Sequence, residues 1–355
     1  MSTWELACGL IAGFYLRLLA QEKNIRPQPG QQNVSIFMNN AQSKAIVARR
    51  EQIDENAAGQ RIDNYLLKTC KGVPKSHIYR ILRSGEVRVN GGRIGPTYRL
   101  VEGDQVRIPP IRVAQPDHTA PVPAGKPLPV VFEDDALLVV DKPAGKAVHG
   151  GSGVSFGVIE QLRSQRPQAK LLELAHRIDR ETSGLLIIAK KRSALKALHD
   201  MMREGAVEKR YLTLVAGCWR NTLQHIKAPL FKYLTPEGER RVRVSDEGKA
   251  AHSIVRLVEC WQRFSLLEVE LKTGRTHQIR VHLSHLGFPL CGDDKYGDFA
   301  LNKSLEQEGL RRMFLHASQL VFNHPLNGER IELRSELPVE LAAFIAHLKQ
   351  TEAEG

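Results

Sequence analysis

One stretch rich in proline, alanine and glycine divides this chain of 355 residues and limits how it can fold. The stretch reads VAQPDHTAPVPAGKPLP and covers residues 113–129. This composition favours extended, semi-rigid chain and supplies few side chains for a core. The segments on its two sides must therefore bury their apolar side chains separately. We predict an N-terminal extension over residues 1–57, a small module over 58–112, this linker over 113–129, and a larger domain over 130–350.

The small module combines two helices with a hairpin and a further strand. The segments GQRIDNYLLKTC and VPKSHIYRILRSG space their apolar residues at helical intervals. The next segment, EVRVNGGRI, alternates apolar and polar residues around an Asn90-Gly91 turn, which is a strong hairpin signal. A last strand is predicted for DQVRIPP. This order of elements predicts a compact α+β module.

The larger domain carries both strand and helix patterns. The apolar runs LLVV, LLIIAK and LLEVEL are typical of buried strands. Residues 192–205 lie between two of these runs and have the pattern of a helix. We therefore predict a mixed domain with several strands, and assign the whole chain to the α+β class.

Positive charge is concentrated in the small module. The chain has a formal net charge of +12, and residues 59–110 carry ten Lys and Arg against four Asp and Glu, a net +6. Clustered cations gain free energy by displacing counterions from phosphates, which favours an RNA-contacting face over an ordinary solvated one. The residues predicted to contact RNA here are Arg61, Lys75, Arg80, Arg83 and Arg88.

The first residues of the chain and the distribution of its cysteines indicate in which cellular compartment the protein works. Residues 4–20, WELACGLIAGFYLRLLA, are short for a membrane span and follow no positively charged stretch. The polar segment NIRPQPGQQN follows, so we expect a disordered extension, with Met38 as the true start. The five cysteines form no CxxC pair, which indicates neither a disulfide framework nor a zinc site. These features fit a cytoplasmic protein with no membrane partner.

The segment HRIDRETSGLLIIAK, residues 176–190, is the most informative for chemistry. Asp179 lies between Arg177 and Arg180, and neighbouring guanidinium groups favour the charged form of a carboxylate. Thr182-Ser183-Gly184 precedes the strand, and a glycine at a strand entrance lets a substrate approach the backbone. Taken alone, Asp179 is equally well explained as part of a surface ion pair.

Two further segments place polar groups beside strands. In VEKRYLTLV, residues 207–215, two cations precede Tyr211, which is either a half-buried packing residue or a platform for a base. In KTGRTHQIRVHL, residues 272–283, cationic and imidazole side chains crowd a predicted strand-to-helix turn. His277 and His282 are five positions apart without a nearby cysteine or carboxylate, so we predict an anion-facing turn and no metal site.

These segments, in this order, resemble the motifs of the RluA class of pseudouridine synthases. The motifs are His176 to Gly184, Lys209 to Tyr211 and Gly274 to Arg280. The segment DKPAG, Asp141 to Gly145, is similar to an early motif of that family, which often has Asn where Asp141 stands. The module from residue 58 to 110 resembles an S4 RNA-binding domain. The resemblance implies an S4-like module followed by a catalytic domain with a mixed, mainly antiparallel sheet.

The resemblance also implies roles for individual residues. Asp179 would be the catalytic carboxylate, and Arg280 would form an ion pair with it. Tyr211 would stack on the flipped base and help to move a proton. Arg177 would fill the gap that the flipped base leaves in the RNA. Further RNA contacts are predicted for Lys209, Arg275 and His277.

The implied reaction breaks the bond from uracil N1 to ribose C1′ and re-forms it to C5, without redox or group transfer and hence without a cofactor. The implied substrate is 23S ribosomal RNA or a pre-ribosomal particle, acted on by a monomer. Asp179 either adds covalently to the substrate or removes a ribose proton, and both routes stay open. The competing hypotheses are a non-catalytic RNA-binding or ribosome-assembly protein, a hydrolytic glycosylase, and a synthase acting on transfer or messenger RNA.

Overall fold

The computed structural model describes residues 47–70, 72–111, 126–150 and 156–353. The predictions for residues 1–37, and most of the predicted linker, lie outside these ranges. The described residues form sixteen strands and seven helices. The strands are β1 (Arg49–Gln52), β2 (Arg88–Val89), β3 (Gly92–Arg93), β4 (Gln105–Ile108), β5 (Val130–Glu133), β6 (Leu137–Lys142), β7 (Glu173–Leu174), β8 (Ser183–Ala189), β9 (Glu208–Ala216), β10 (Leu223–Lys227), β11 (Leu230–Leu234), β12 (Arg240–Val244), β13 (His252–Cys260), β14 (Phe264–Leu271), β15 (Leu315–Asn323) and β16 (Arg330–Arg334). The helices are α1 (Ile62–Thr69), α2 (Lys75–Arg83), α3 (Val158–Gln165), α4 (Arg192–Glu204), α5 (Gln278–His285), α6 (Phe299–Gln307) and α7 (Val339–Ala353).

The small module is a four-stranded sheet, in the order β1-β4-β2-β3, packed against helices α1 and α2. The two predicted helices and the predicted hairpin are confirmed. Asn90 and Gly91 both have positive φ, 50° and 81°, as a two-residue type I′ turn requires. Apolar residues of both helices and of the sheet, among them Leu66, Ile81 and Val106, form one core.

The sheet of this module begins earlier than the predicted boundary at residue 58. Strand β1, which the sequence analysis assigned to the N-terminal extension, pairs antiparallel with β4, Arg49 opposite Ile108 and Gln52 opposite Gln105. Its sequence RREQ has no alternation of apolar and polar residues because it is an edge strand with mostly exposed side chains. Periodicity therefore could not identify it.

The larger domain is built on a ten-stranded, mostly antiparallel sheet. The main path runs β10-β13-β14-β9-β15-β8-β6-β5, while β16 pairs with β15 and β7 with β8. The pairing of β15 with β8 is parallel, and the other pairings in this sheet are antiparallel. Strands β8 and β9 are not neighbours, because β15 lies between them. The mixed, mainly antiparallel sheet that the family resemblance implied is confirmed.

Both faces of the sheet are covered at β8. Leu186 and Ile188 lie in a core that includes apolar residues of α3 and α5, whereas Leu185 and Ile187 face a second core that includes α4. This explains why LLIIAK has no period-two alternation: a strand buried on both sides is apolar throughout. No helix within the described ranges combines the length and hydrophobicity that crossing a bilayer requires.

Gly184, at the start of β8, serves the fold rather than an approaching substrate. It has φ +106°, and an added Cβ would lie 2.3 Å from the carbonyl oxygen of Ala317 in β15. The prediction that this glycine gives a substrate access to the backbone is therefore corrected, because the neighbouring strand occupies the space. The residue lets β8 and β15 come together.

Replacing Gly184 with alanine should accordingly destabilise the protein. We expect a loss of about 2–4 kcal/mol in the free energy of unfolding, since the substitution combines unfavourable φ with a clash against backbone. Urea denaturation of the variant and the wild-type protein measures this loss in the free energy of unfolding. Gly205→Ala is the matched control, because Gly205 also has positive φ, 75°, but an added Cβ there meets nothing within 4 Å. Equal losses at the two positions would contradict the packing argument.

Candidate active site

A pocket brings together the three motifs of the larger domain. It lies where the loop before β8, strand β9, the β14–α5 turn and the start of β15 meet. Its lining residues are Arg177, Ile178, Asp179, Thr182, Tyr211, Leu271, Arg275, His277, Gln278, Ile279, Arg280 and Leu315. The predicted catalytic residues Asp179, Tyr211 and Arg280 are therefore adjacent, although 101 positions separate the first from the last.

Asp179 is partly open to the pocket and has one close cation. Its side chain is 27% exposed, and Arg280 Nη1 donates to its Oδ2 at 3.3 Å. The sequence pointed to its neighbours as the stabilising cations. The structure instead pairs Arg180 with Glu181, at 2.7 Å, and leaves Arg177 exposed. The cation nearest Asp179 thus comes from a distant part of the chain.

Arg280 is buried and held mainly by carboxylates other than Asp179. Its side chain is 4% exposed. Nε and Nη2 donate to the two oxygens of Asp293 at 2.7 and 2.6 Å, and Nη2 also donates to Asp294 at 3.1 Å. The guanidinium lies over the ring of Tyr296, 5.1 Å from its centroid. Such a bidentate carboxylate pair fixes the plane of a guanidinium group.

Tyr211 is a buried member of the pocket wall, 6% exposed, on strand β9. Burial raises the pKa of its hydroxyl above the ordinary value, and the nearby negative charge of Asp179 raises it further. The phenol therefore stays protonated and neutral at physiological pH. A neutral phenol against the pocket offers an aromatic face and one exchangeable proton.

His277 has an unusual backbone conformation at the start of α5. Its φ and ψ are 53° and 24°, in the left-handed region that non-glycine residues rarely adopt. Its Nδ1 lies 2.8 Å from the hydroxyl of Tyr296, and its Nε2 lies 3.9 Å from Asp179 Oδ1. Burial lowers the pKa of His277, an effect that Asp179 partly opposes. The imidazole is thus neutral at neutral pH and does not form a charged pair with Asp179.

The loop that carries Asp179 is held by two further side chains, Lys142 and Arg312, which do not line the pocket. Lys142, in the DKPAG motif, is fully buried, and its Nζ donates to the carbonyl oxygens of Pro143, Lys146 and Arg180 at 2.9, 2.8 and 2.9 Å. Burial, with a contribution from nearby Arg312, lowers the pKa of Lys142 to about 7. Arg312 Nη2 donates to Ser183 Oγ at 2.9 Å. These contacts restrict the backbone of the loop.

The other residues predicted to contact RNA divide into exposed and buried groups. Arg177 and Arg275 are exposed beside the pocket, and Lys75, Arg80, Arg83 and Arg88 are exposed on the small module. Arg61 is less exposed and pairs with Asp63 at 2.7 Å.

Lys209 departs from the prediction of an RNA contact. It is 7% exposed, and its Nζ donates to the carbonyl oxygen of Val207. Burial, with Lys272 nearby, lowers its pKa to about 8. The family resemblance implied an RNA contact for Lys209, but its side chain is buried and its ammonium group donates to the backbone.

His282 has buried partners of its own. Its Nδ1 lies 3.0 Å from Ser253 Oγ, and its Nε2 lies 2.9 Å from the carbonyl oxygen of Ala228. The pocket histidine His277 instead contacts Tyr296. The two histidines of the segment 272–283 therefore have different structural settings.

The segment GDDKYG, residues 292–297, supplies Asp293, Asp294 and Tyr296 and was not predicted to be part of the site. The signal available was two adjacent acids between glycines, following a segment crowded with cations. Two adjacent acidic residues of this kind are typical of a solvent-exposed turn, and their partner cation cannot be identified from the sequence. Only the folded chain shows that Asp293 is buried against Arg280.

Comparison with known proteins agrees with this geometry. A family model described as RNA pseudouridylate synthase matches residues 136–285, and one described as S4 domain matches residues 60–106. The chain is 50% identical to ribosomal large subunit pseudouridine synthase C of Pasteurella multocida over 304 residues, covering 84% of this chain and 93% of that protein. It is 51% identical to the protein of the same name from Escherichia coli K12 over 295 residues, covering 81% and 92%.

Solved structures give the same result. Human RNA pseudouridylate synthase domain containing 4 superposes with a TM-score of 0.52 at 25% identity, covering 62% of this chain and 93% of that one. For human RNA pseudouridylate synthase domain containing 1 the TM-score is 0.51 at 25% identity, with coverage of 64% and 96%. The resemblance inferred from the motifs is confirmed. With an S4 domain ahead of its catalytic domain, this chain belongs to the RNA pseudouridylate synthase family, whose members are isomerases.

Proposed function

We propose that this protein isomerises specific uridines to pseudouridine in the 23S RNA of the large ribosomal subunit. The observation that carries the proposal is the partly exposed carboxylate of Asp179, held against a buried guanidinium in a pocket walled by a neutral tyrosine. The relatives that cover more than four-fifths of the chain are named as large-subunit pseudouridine synthases, which supports the choice of RNA. The substrate is naked 23S RNA or a pre-ribosomal particle.

Asp179 is the proposed catalytic residue, because its carboxylate is the ionisable group in the pocket that is both anionic and accessible. In one route its carboxylate bonds covalently to the ribose or the base, and in the other it removes a ribose proton so that a glycal forms. In both routes the bond from uracil N1 to ribose C1′ breaks, and the detached uracil stays in the pocket until its C5 bonds to C1′. Either route neutralises the charge of Asp179. Arg280 orients the carboxylate before that step. No cofactor is needed, since the isomerisation releases only the C5 proton to water and transfers no electrons or groups.

The target uridine must leave its stack to reach this pocket. Tyr211 provides the surface on which the flipped base stacks, and its protonated hydroxyl can exchange a proton with the base. Arg177 enters the gap in the RNA and Arg275 meets a phosphate, roles that the exposure of both side chains supports. His277 contacts the RNA as a neutral group.

We propose that the protein works in the cytoplasm as a monomer.

Pseudouridine mapping in 23S RNA tests the proposal. A strain lacking the gene should lose pseudouridine at specific positions of large-subunit RNA, and wild-type protein should restore them. Restoration by the Asp179→Asn variant would favour a non-catalytic assembly protein. Loss confined to transfer RNA would favour the alternative substrate, and release of free uracil from RNA would indicate a glycosylase.

The S4 domain should contribute RNA affinity without affecting the chemical step. We expect a Lys75→Gln, Arg80→Gln, Arg83→Gln, Arg88→Gln variant to bind 23S RNA more weakly. The slope of log affinity against log salt should fall by roughly 3, because four exposed cations no longer displace counterions. Filter binding over a salt series measures this, and kcat at saturating RNA should stay within about threefold. An unchanged slope would contradict the proposed RNA contacts.

A further inference from the structure

Arg280 is shared unequally among three carboxylates of the catalytic domain, the third being the exposed Asp294, which accepts from Nη2 at 3.1 Å. Asp293 accepts two parallel hydrogen bonds from it, at 2.7 and 2.6 Å, and is completely buried. Asp179 accepts one, at 3.3 Å, and is 27% exposed. The stronger and less accessible partner of the guanidinium is therefore the carboxylate that does not face the pocket.

Asp293 is itself held firmly by the loop around it. Its Oδ1 accepts hydrogen bonds from the backbone amides of Lys295 and Tyr296 at 2.8 and 3.1 Å. Asn302 braces the same loop, since its Nδ2 donates to the carbonyl oxygen of Asp293 at 2.8 Å and its Oδ1 accepts from the amide of Gly292 at 2.7 Å. The carboxylate thus presents a fixed edge to Nε and Nη2 of Arg280. This leaves Nη1 directed at Asp179.

We propose that Asp293 is a positioning residue for the isomerisation: it holds Arg280 in place and keeps that guanidinium paired while the charge of Asp179 changes. The inference rests on the proposed function. When Asp179 bonds to the substrate or takes up a proton, its negative charge disappears from beside a buried cation. A buried cation without a partner is costly. The bidentate pair with Asp293 lets Arg280 remain in position through that step.

The test is the Asp293→Asn variant, assayed by tritium release from RNA labelled at uridine C5. The amide can accept from only one of the two guanidinium nitrogens and turns an NH₂ group toward the other. We expect kcat to fall about 10- to 100-fold, because small displacements of a reacting group have effects of this size. KM for RNA should stay within about threefold, since Asp293 is buried away from the RNA.

A control separates positioning from the loss of any buried ion pair. Glu270 on β14 is 4% exposed and pairs with Lys272 at 2.8 Å and Arg256 at 3.1 Å. Glu270→Gln should leave kcat within about threefold. In addition, Asp293→Asn should add little to the loss already caused by Arg280→Lys, because one acts through the other.

With an active wild-type protein, an unchanged kcat in Asp293→Asn would overturn the inference. It would also be overturned if the fold-loss in kcat of the double variant equalled the product of the losses in Asp293→Asn and Arg280→Lys. If Asp293→Asn does not fold, Asn302→Ala replaces it, with an expected fall in kcat of about three- to tenfold, and an unchanged kcat there would likewise overturn the inference. A wild-type protein that releases no tritium refutes the proposed function and this inference with it.

Discussion

The Asp179→Asn variant should lose uridine isomerisation almost completely while still binding RNA. The substitution keeps the size of the side chain and an oxygen that can accept from Arg280 Nη1, but it removes the charge that both reaction routes need. We expect tritium release to fall by at least about 10³-fold, a loss typical of removing an essential catalytic group. The dissociation constant for 23S RNA should change by no more than a few-fold, because exposed cations supply most of the affinity.

Glu181→Gln is the matched control for this variant. Glu181 lies two residues further along the same loop, and its carboxylate pairs with the exposed Arg180 instead of facing Arg280. Its replacement should leave turnover within about threefold. Substantial isomerisation by Asp179→Asn would remove the proposed catalytic carboxylate, whatever the control shows.

The Arg280→Met variant should be both inactive and much less stable. Methionine fills a similar volume but leaves the completely buried Asp293 without its cation. Breaking one side of a buried ion pair costs about 3–5 kcal/mol in the free energy of unfolding. The urea midpoint measures this loss, and Arg180→Met, which breaks an exposed pair, should cost less than about 1 kcal/mol.

The penalty of Arg280→Met should depend on pH. Burial alone would raise the pKa of Asp293, but Arg280 and two backbone amides hold it below its ordinary value. A carboxyl group of that kind stabilises the wild-type fold above its unfolded pKa and loses the contribution as pH falls through the folded pKa. Without Arg280, burial dominates and the pKa of Asp293 rises instead. The free energy of unfolding that Arg280→Met loses relative to wild type is then largest at neutral pH.

The stability difference between the two proteins should therefore narrow as pH falls from about 7.5 to about 5, because the buried carboxyl in the variant takes up a proton. Denaturation midpoints at several pH values test this. A difference that is constant over the range would mean that Asp293 is not the source of the penalty.

The sequence predicted individual elements of the fold better than it predicted which elements pack against each other. The Asn90-Gly91 turn and the strand LLIIAK were predicted correctly, because each depends on local preferences or on burial along one segment. The edge strand β1 was missed because its exposed side chains carry no pattern. Packing between distant strands determines the need for Gly184, and no local signal reports it.

The site was predictable at the level of motifs, and the family resemblance also predicted one contact, the ion pair between Arg280 and Asp179, but the other contacts were not predicted. The three motifs named Asp179, Tyr211 and Arg280, which the fold brings to one pocket. The immediate neighbours of Asp179 in sequence were expected to stabilise it, but Arg180 pairs with Glu181. Lys209 lies in the motif yet is buried. Electrostatic partners depend on tertiary proximity, which spacing along the chain does not encode.

Strand β15 lies between β8 and β9, and hence between the loop of Asp179 and the strand of Tyr211. It spans Leu315–Asn323, beyond the region 136–285 that the RNA pseudouridylate synthase model matches. A protein cut after α5 would possess all three predicted catalytic residues and lack the strand that spaces two of them. Ribosome-bound nascent chains of that length should therefore be inert, and catalytic competence should arise only once β15 has been translated and has paired with β8 and β9.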